Sequence, residues 1–281
     1  MITVHSPEEM QRIALDLKRS GQTIGFVPTM GFLHAGHLSL MQLARPKCDV
    51  LVVSIFVNPT QFGPNEDLEA YPRNVERDEQ LCAAEAVDLV FYPASGNMYA
   101  DDASVWVDED ALSGGLCGES RPQHFRGVCT VVAKLFNLVQ PDFAVFGEKD
   151  AQQLRIIERL VRDLNFPIEI IRGPILREAD GLAMSSRNQS LSEEQRKNAL
   201  CLRRALDLIL RDIEQGERIV SNLKKSIVSL IDMVPDAEID YIEFVDDASL
   251  EPFERVQSGT LVALAVKIGS TRLIDNAILD L

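Results

Sequence analysis

The sequence predicts an α/β protein with a doubly wound parallel sheet, followed by a smaller α+β part. Two observations predict the sheet: continuous apolar runs rich in Val, Ile and Phe, and amphipathic segments that alternate with them. Buried strands separated by helices of this length are typical of βαβ units. A third observation predicts the smaller part, because the pattern changes after Pro174 to two helices followed by strands.

Five strands are predicted in the first part, at residues 23–28, 50–57, 87–92, 143–146 and 167–172. Helices are predicted at 37–44 after the first strand, at 74–86 after the second, at 128–139 before the fourth and at 150–164 after it. Sheets of this kind bind ligands at the carboxyl ends of their strands. The residues that follow each strand are therefore the candidates for function.

The second part begins at about residue 173, so the predicted domains are 1–172 and 173–281. Ser192 and Gln195 form a capping-box pattern that opens a helix running to about Glu214. A second helix is predicted at 218–233, and strands at 239–245 and 260–268.

The amino-acid composition indicates which kinds of binding partner and which cellular compartment to expect. The 281 residues include 28 Lys and Arg against 43 Asp and Glu, a formal net charge of −15. Such a balance disfavours nucleic acid as a partner and leaves a single nucleotide open. The sequence has no long apolar run, no signal-peptide pattern at its N-terminus and five scattered cysteines without a CxxC pair. We therefore expect a cytoplasmic protein with reduced thiols and no membrane span.

The loop PTMGFLHAGH, residues 28–37, holds two of the four histidines, His34 and His37. It lies between a predicted strand and a helix, whose N-terminus favours anions. Gly31 and Gly36 allow close backbone approach, and the imidazoles can stabilise charge on phosphate oxygens. One capping and one packed histidine is the alternative. A zinc pair is disfavoured because no third ligand is evident nearby, and GxxxxGK[ST] does not occur.

Three further polar stretches follow predicted strands or precede the second part's first helix. Asn58 and Gln61 suit hydroxyl or carboxylate groups, although Asn-Pro is also a turn signal. Lys149 suits phosphate oxygens, whereas Asp150 is open to a role as a helix cap and Gln153 lies one turn further. The loop at 184–187, Met-Ser-Ser-Arg, suits a triphosphate, or is a solvated loop.

Taken together, these stretches resemble one family, the pantoate–β-alanine ligases. The motifs that match are PTMGxLHxGH, SIFVNPxQF, RPxHFxGVxTVVxKLF, FGEKDxQQ, READGLAMSSRN and TRLIDN, in order along nearly the whole chain. The resemblance implies a Rossmann-like domain of the nucleotidyltransferase type, a C-terminal lid domain and a homodimer. It also implies a reaction. ATP with Mg²⁺ activates pantoate as pantoyl adenylate, and β-alanine then yields pantothenate and AMP.

The resemblance also implies roles for individual residues. It gives catalytic roles to His34, His37 and Lys149, and assigns no residue as a metal ligand. It places pantoate and β-alanine at Gln61 and pantoate at Gln153, with Asn58 near the pantoate pocket. The residues it places at ATP are Met30, Gly31, Phe32, Leu33, His34, Ala35, Gly36, His37, Gly147, Glu148, Lys149, Asp150, Leu176, Met184, Ser185, Ser186 and Arg187.

The sequence departs from the family pattern at three positions. Gln123 stands where glycine is common, Ala151 where tyrosine is common and Phe32 where alanine is frequent. None of these removes a proposed polar contact, and Gln123 leaves open the role of the loop around His124.

Other functions are weighed against the ligase. A related nucleotidyltransferase would keep a nucleotidyl product, release only pyrophosphate and not need Gln61 or Gln153. A non-catalytic nucleotide-binding protein would bind ATP without turnover. The acidic balance and the lack of an anticodon-reading extension disfavour tRNA charging.

Overall fold

The structure is a computed structural model that describes residues 1–64, 66 and 68–281. The chain divides into two compact units. The first comprises residues 1–111, 121–148 and 156–174, and the second comprises 112–120, 149–155 and 175–281. The predicted domains were 1–172 and 173–281. In the structure, residues 173 and 174 group with the first unit, and the two short segments 112–120 and 149–155 group with the second.

A six-stranded parallel sheet forms the centre of the first unit, with strand order β1-β4-β3-β2-β5-β6. The predicted α/β class is therefore confirmed. All six residues of β3 are buried, as its continuous apolar sequence predicts. The strands are β1 (Ile2–Val4), β2 (Ile24–Thr29), β3 (Val50–Ile55), β4 (Leu89–Phe91), β5 (Phe143–Gly147) and β6 (Glu169–Gly173).

Helices follow most of these strands. The first unit contains α1 (Pro7–Arg19), α2 (Ala35–Ala44), α3 (Val75–Ala84), α4 (Ser95–Met98) and α6 (His124–Val139), while α5 (Cys117–Ser120) belongs to the second unit. The continuous helix α7 (Ala151–Asp163) has its first turn in the second unit and the rest in the first. The sheet order reverses between β2 and β5, so the carboxyl ends of these two strands are where a ligand is expected.

The second unit contains an antiparallel sheet, β7 (Ala237–Asp246), β8 (Thr260–Ile268) and β9 (Thr271–Ile278). The β8–β9 turn is tight and contains Gly269 with φ +59°, a conformation that glycine adopts without strain. Two helices, α9 (Cys201–Glu214) and α10 (Val220–Ile231), pack their apolar faces into a core with one face of the sheet.

The prediction of a single helix from Ser192 to about Glu214 was wrong, because the structure has two helices over this range. The capping box at Ser192 and Gln195 opens α8 (Glu193–Asn198), and α9 starts after a turn at Ala199–Leu200. At that turn the amide of Leu202 donates to the carbonyl of Ala199, three residues back instead of four. Ala199 and Leu202 are consequently both buried in the core.

Within the part of the chain that the structure describes, no helix is long and apolar enough to cross a membrane.

Candidate functional site

The two histidines of the glycine-containing loop cap the N-terminus of α2. His34 is the N-cap residue, and its Nδ1 accepts from the amide of Gly36 at 3.1 Å. The amide of His34 donates in turn to Nδ1 of His37 at 3.3 Å, and the ring centroids lie 4.0 Å apart. The reciprocal caps therefore place both imidazoles side by side at the positive end of the helix dipole.

These hydrogen bonds determine which ring nitrogen carries the proton. Both Nδ1 atoms act as acceptors of backbone N–H groups, so a neutral imidazole at His34 or His37 must be protonated on Nε2. Each ring thus presents an Nε2–H donor beside a helix N-terminus. This is an arrangement suited to phosphate oxygens.

A neighbouring helix holds the two residues that precede His34. The Asp78 carboxylate on α3, 1% exposed, accepts from the amides of Phe32 at 2.7 Å and Leu33 at 2.8 Å. Arg77 donates to the carbonyl of Leu33 at 2.8 Å, and its guanidinium lies 5.5 Å from the centroid of the Phe32 ring. Phe32 needs this support because its φ is +51°, in the left-handed region that side chains other than glycine rarely adopt.

Gln61 and Asn58 lie together in the first unit, next to the start of the histidine loop. The Gln61 amide Nε2 lies 3.1 Å from Sδ of Met30, and its Oε1 accepts from Nδ2 of Asn58 at 3.1 Å. The side chain of Gln61 is therefore fixed beside Met30, a residue that the family resemblance implies at ATP.

The side-chain amide of Asn58 uses its full hydrogen-bonding capacity within the protein. Nδ2 donates to Gln61 Oε1 and to the Gly127 carbonyl, and Oδ1 accepts from the hydroxyls of Thr60 and Tyr99. An amide has two donors and two acceptor positions, so none remains for a ligand. This geometry favours Asn58 as the residue that orients Gln61.

The loop around His124 also contacts Gln61. His124 is buried, and its Nδ1 lies 2.8 Å from the carbonyl of Gln61 while its Nε2 lies 3.1 Å from Nη1 of Arg121. Since a carbonyl only accepts and a guanidinium only donates, Nδ1 carries the proton and Nε2 accepts. Gln123, where the family pattern has glycine, has φ +68° and directly precedes α6.

At the carboxyl end of β5, Gly147 and Glu148 complete the part of the predicted ATP set that belongs to the first unit. The Glu148 carboxylate lies 3.5 Å from Nη1 of Arg172 on β6, and Arg172 also pairs with Glu158 at 2.7 Å. The Arg172 guanidinium is thus shared between the carboxylates of Glu148 and Glu158.

In the second unit, Lys149 and Asp150 directly precede α7, and their charged atoms lie 3.7 Å apart. The two glutamines that follow have different environments. Gln152 is buried, and its amide bonds the backbone of Leu112, Gly115 and Cys117 at 2.7–2.9 Å. Gln153 is half-buried, which leaves it the better placed of the two to meet a substrate.

The remaining predicted ATP residues come together on one hairpin of the second unit. Arg177 and Ala183 form an antiparallel bridge, and the amide of Met184 donates to the carbonyl of Leu176 at 3.0 Å. Ser185 then caps a 3-10 turn, Ser186–Ser190, through the amide of Arg187. The structure therefore makes Leu176 a neighbour of the loop that carries Met184 to Arg187.

A cavity of about 190 Å³ lies in the first unit at the carboxyl ends of β2, β3 and β4. Gly31, Phe32 and Asp78 form part of its wall.

Several residues that support the predicted site were given no role in the sequence analysis, although Gln152 and Asn276 lie within the motifs FGEKDxQQ and TRLIDN. Asp78 holds the histidine loop, Gln152 holds the loop at 112–117, and Asn276 donates to the Lys149 carbonyl. Their partners are distant in sequence, so only the fold brings the pairs together. Among the described residues, no group of three or more His, Cys, Asp or Glu side chains is arranged to hold a metal ion.

A parallel α/β sheet whose reversal point carries a helix capped by two histidines defines a nucleotide-binding protein of the Rossmann-like class. Comparison with known proteins identifies the family. The family model described as pantoate-beta-alanine ligase matches residues 2–278, and the chain belongs to this family.

Similar proteins agree over their full length. The pantothenate synthetase of Fervidobacterium nodosum is 54% identical over 280 residues, covering 100% of both chains, and that of Thermotoga neapolitana is 52% identical over 279 residues, covering 99% of this chain and 100% of its own. A crystal structure of pantothenate synthetase from Thermus thermophilus has a TM-score of 0.94 at 43% identity, with both chains fully covered.

One similar solved structure contains ligands. It is the pantoate-beta-alanine ligase of Francisella tularensis complexed with beta-gamma ATP and beta-alanine, at a TM-score of 0.81 and 35% identity, covering 99% of this chain and 97% of its own.

Proposed function

We propose that this chain ligates pantoate to β-alanine at the expense of ATP, forming pantothenate, AMP and pyrophosphate through a pantoyl adenylate. Family membership over residues 2–278 supports the overall reaction. One observation of the structure carries the chemistry: both imidazoles of the α2 cap present Nε2–H donors at a helix N-terminus.

In the first step, a carboxylate oxygen of pantoate attacks the α-phosphorus of ATP. The bond from this phosphorus to the bridging oxygen breaks, and pyrophosphate leaves. Attack of an anion on a phosphate requires positive charge and N–H donors where negative charge develops. We assign His34, His37 and Lys149 to this task, and place ATP at the residues that the sequence predicted for it: Met30–His37, 147–150, Leu176 and 184–187.

In the second step, the neutral amine of β-alanine attacks the acyl carbon of the adenylate. The bond from that carbon to the phosphate oxygen breaks, AMP leaves and the amine loses a proton. Gln61 is the proposed contact for pantoate and β-alanine, because Asn58 and Met30 fix its side chain. Gln153 is the proposed second contact for pantoate.

Mg²⁺ is proposed to enter with ATP. Mg²⁺ in enzymes is commonly held by substrate phosphates together with few protein ligands and water. The described residues, which include no cluster of metal-binding side chains, fit that mode. Bound Mg²⁺ would neutralise phosphate charge during adenylation. We also propose that the protein is cytoplasmic and forms a homodimer. Sedimentation of the purified chain tests the dimer directly.

The deciding experiment measures pyrophosphate and AMP released from ATP, Mg²⁺ and pantoate, with and without β-alanine. The proposal expects pyrophosphate only when pantoate is present, and rapid AMP release only when β-alanine is added. A nucleotidyltransferase that retains its nucleotidyl product would release pyrophosphate and no AMP. Absence of both products from the complete mixture would reject the ligase and leave a nucleotide-binding protein.

A further inference from the structure

Two consecutive side chains on β9, Asp275 and Asn276, are polar and nearly inaccessible, at 2% and 5% exposure. Neighbouring residues of a strand point to opposite faces of the sheet. Buried polar groups require hydrogen-bond partners, so what each of these side chains binds on its own face indicates its purpose. Both bind segments of the second unit that carry proposed ATP residues.

Asp275 binds the hairpin that presents Leu176 and the loop at 184–187. Its two carboxylate oxygens accept from the two Nη atoms of Arg177 at 2.7 and 2.9 Å, a bidentate pair. The same guanidinium donates to the carbonyl of Gly181 at 3.1 Å, across the turn of the hairpin. Arg177 directly follows Leu176, so Asp275 fixes the base of this hairpin.

Asn276 binds the other segment. Its Nδ2 donates to the backbone carbonyl of Lys149 at 3.0 Å, and its own amide donates to Asp275 Oδ1 at 2.8 Å. The Asp275 carboxylate is thus hydrogen-bonded to the backbone of Asn276 as well as to Arg177. One short stretch of β9 contacts both the Lys149 segment and the hairpin.

We propose that Asp275 and Asn276 are positioning residues for ATP, Asp275 through the hairpin at 176–187 and Asn276 through the backbone of Lys149. The proposal rests on the proposed function, which gives Lys149 and residues 184–187 their contacts with ATP. Neither residue is assigned a contact with substrate. Each acts through the backbone it holds, and small displacements of reacting groups have large effects on rate.

The test compares Asp275→Asn and Asn276→Ala with a matched control, Asp240→Asn. Asp240 belongs to the same sheet and accepts from Arg272 at 2.7 and 2.9 Å, but it has no contact with either segment in the described structure. We expect kcat/KM for ATP to fall by about 10- to 100-fold in the first two variants, with KM for β-alanine within about twofold of wild type. The control keeps both parameters.

Hydrogen exchange followed by mass spectrometry separates the effect of Asp275 on the hairpin from the effect of Asn276 on the Lys149 segment. Asp275→Asn is expected to speed exchange at 176–188 more than at 149–155, and Asn276→Ala is expected to do the reverse. Equal exchange in both segments, or kinetic losses no larger than those of Asp240→Asn, would overturn the proposal.

If Asp275→Asn fails to fold, Arg177→Gln tests the same pair from the hairpin side. A double-mutant cycle with Arg177→Gln and Asp275→Asn should show strongly non-additive losses in kcat/KM, because both remove one interaction. Additive losses would contradict a shared role.

Binding of a non-hydrolysable ATP analogue, measured without pantoate, keeps this proposal distinct from the proposed function. If the wild type binds the analogue but makes no AMP, the ligase assignment fails. The positioning proposal is then still tested, because it expects Asp275→Asn and Asn276→Ala to bind the analogue more weakly than the wild type. If wild type is an active ligase and the variants bind the analogue as wild type does, the positioning proposal alone fails.

Discussion

At the scale of single residues, the hydrogen bonds around His34 and His37 decide what the loop can do. Backbone N–H groups occupy both Nδ1 atoms, so each neutral ring donates from Nε2. The pair therefore serves local structure through Nδ1, and the proposed charge stabilisation falls to the Nε2–H groups.

Replacing His37 by Ala should lower the rate of adenylation by about 10²-fold or more, because a donor to the developing phosphate charge is lost. Pyrophosphate release in a single turnover, with circular dichroism to monitor folding, measures the effect. His5→Ala is the matched control, since His5 is exposed and contacts the Tyr92 carbonyl. Normal adenylation by His37→Ala would remove this residue from the mechanism.

Gln152 and Gln153 give contrasting predictions from adjacent positions. Gln152→Ala leaves several buried backbone groups of the 112–117 loop without a partner, so it should lower the free energy of unfolding by about 1–3 kcal/mol. Gln153→Ala should raise KM for pantoate far more than KM for ATP, with little effect on stability. Urea unfolding and steady-state kinetics on both variants make the comparison, and equal effects of Gln153→Ala on both substrates would contradict its assignment.

At the scale of elements, the histidine loop depends on a helix that carries none of the predicted site residues. Asp78 and Arg77 on α3 hold the backbone of Phe32 and Leu33 directly before the α2 cap. The left-handed conformations of Gly31 and Phe32 are consequently stabilised by a contact from outside the loop.

Asp78 should also leave a signature in the pH dependence of stability. Burial raises the pKa of Asp78 above its ordinary value of 3.8, so the folded state retains this proton to higher pH than the unfolded chain. The contribution of Asp78 to the free energy of unfolding therefore falls as pH rises from 3.8 through the folded-state pKa.

Asp78→Asn removes this titration. Urea unfolding from about pH 3 to about pH 7 should show the wild type losing stability relative to the variant across that window. A difference that stays constant with pH, or that changes in the opposite direction, would show that the pKa of Asp78 is not raised.

Helix α6 begins after a residue in the left-handed region, Gln123 at φ +68°. Gln123→Gly should raise the free energy of unfolding by about 0.5–1 kcal/mol, because glycine adopts this conformation without a steric cost. Gln215→Gly is the matched control. Gln215 is the C-cap of α9 and has φ −81°, a conformation open to any residue. Glycine there only adds flexibility to the unfolded chain, so the free energy of unfolding of Gln215→Gly should fall. Thermal unfolding of both variants should show a higher melting temperature for Gln123→Gly and a lower one for Gln215→Gly.

The sequence predicts those elements whose signals are local. Residues 260–268 form a strand as predicted, and the capping box at Ser192 and Gln195 opens a helix as predicted. β1 was missed because three residues give too little periodicity. α1 was missed although Ser6 as N-cap and Pro7 at its first position are start signals.

The supporting contacts of the site were not predictable, because their partners are far apart along the chain. Asp78 and Leu33 are separated by 45 residues, Arg177 and Asp275 by 98, and Lys149 and Asn276 by 127. The motifs show which loops are polar. Only the fold shows what holds the backbone of each loop in place.

At the scale of the whole molecule, most of the thiols are enclosed in apolar surroundings. All five cysteines are free, and only Cys48 is not buried. Burial raises the pKa of Cys82 and Cys129 to about 12 and that of Cys201 to about 11. Since the thiolate is the reactive form, these three should resist alkylation in the folded protein.

With iodoacetamide at about pH 8, peptide mass spectrometry should find Cys48 alkylated first, and Cys82, Cys129 and Cys201 alkylated only as urea unfolds the chain. The urea-unfolded protein, in which all five thiols react, is the control. Early alkylation of Cys82 without urea would reveal local opening of α3, on which the histidine loop depends.

The two units interleave along the chain, and this limits how the gene can be divided. Leu116 and Ala151 belong to segments enclosed within the stretch of sequence that builds the parallel sheet, yet they pack with Val245, Leu261 and Ala263 of the second unit. A recombination event with a single crossover at residue 174 would transfer the later strands without these two apolar side chains. In such a chimaera, Val245, Leu261 and Ala263 would come from one parent, whereas Leu116 and Ala151 would come from the other. The apolar cluster would then combine side chains that were not selected to pack together. The two units are therefore expected to be inherited together.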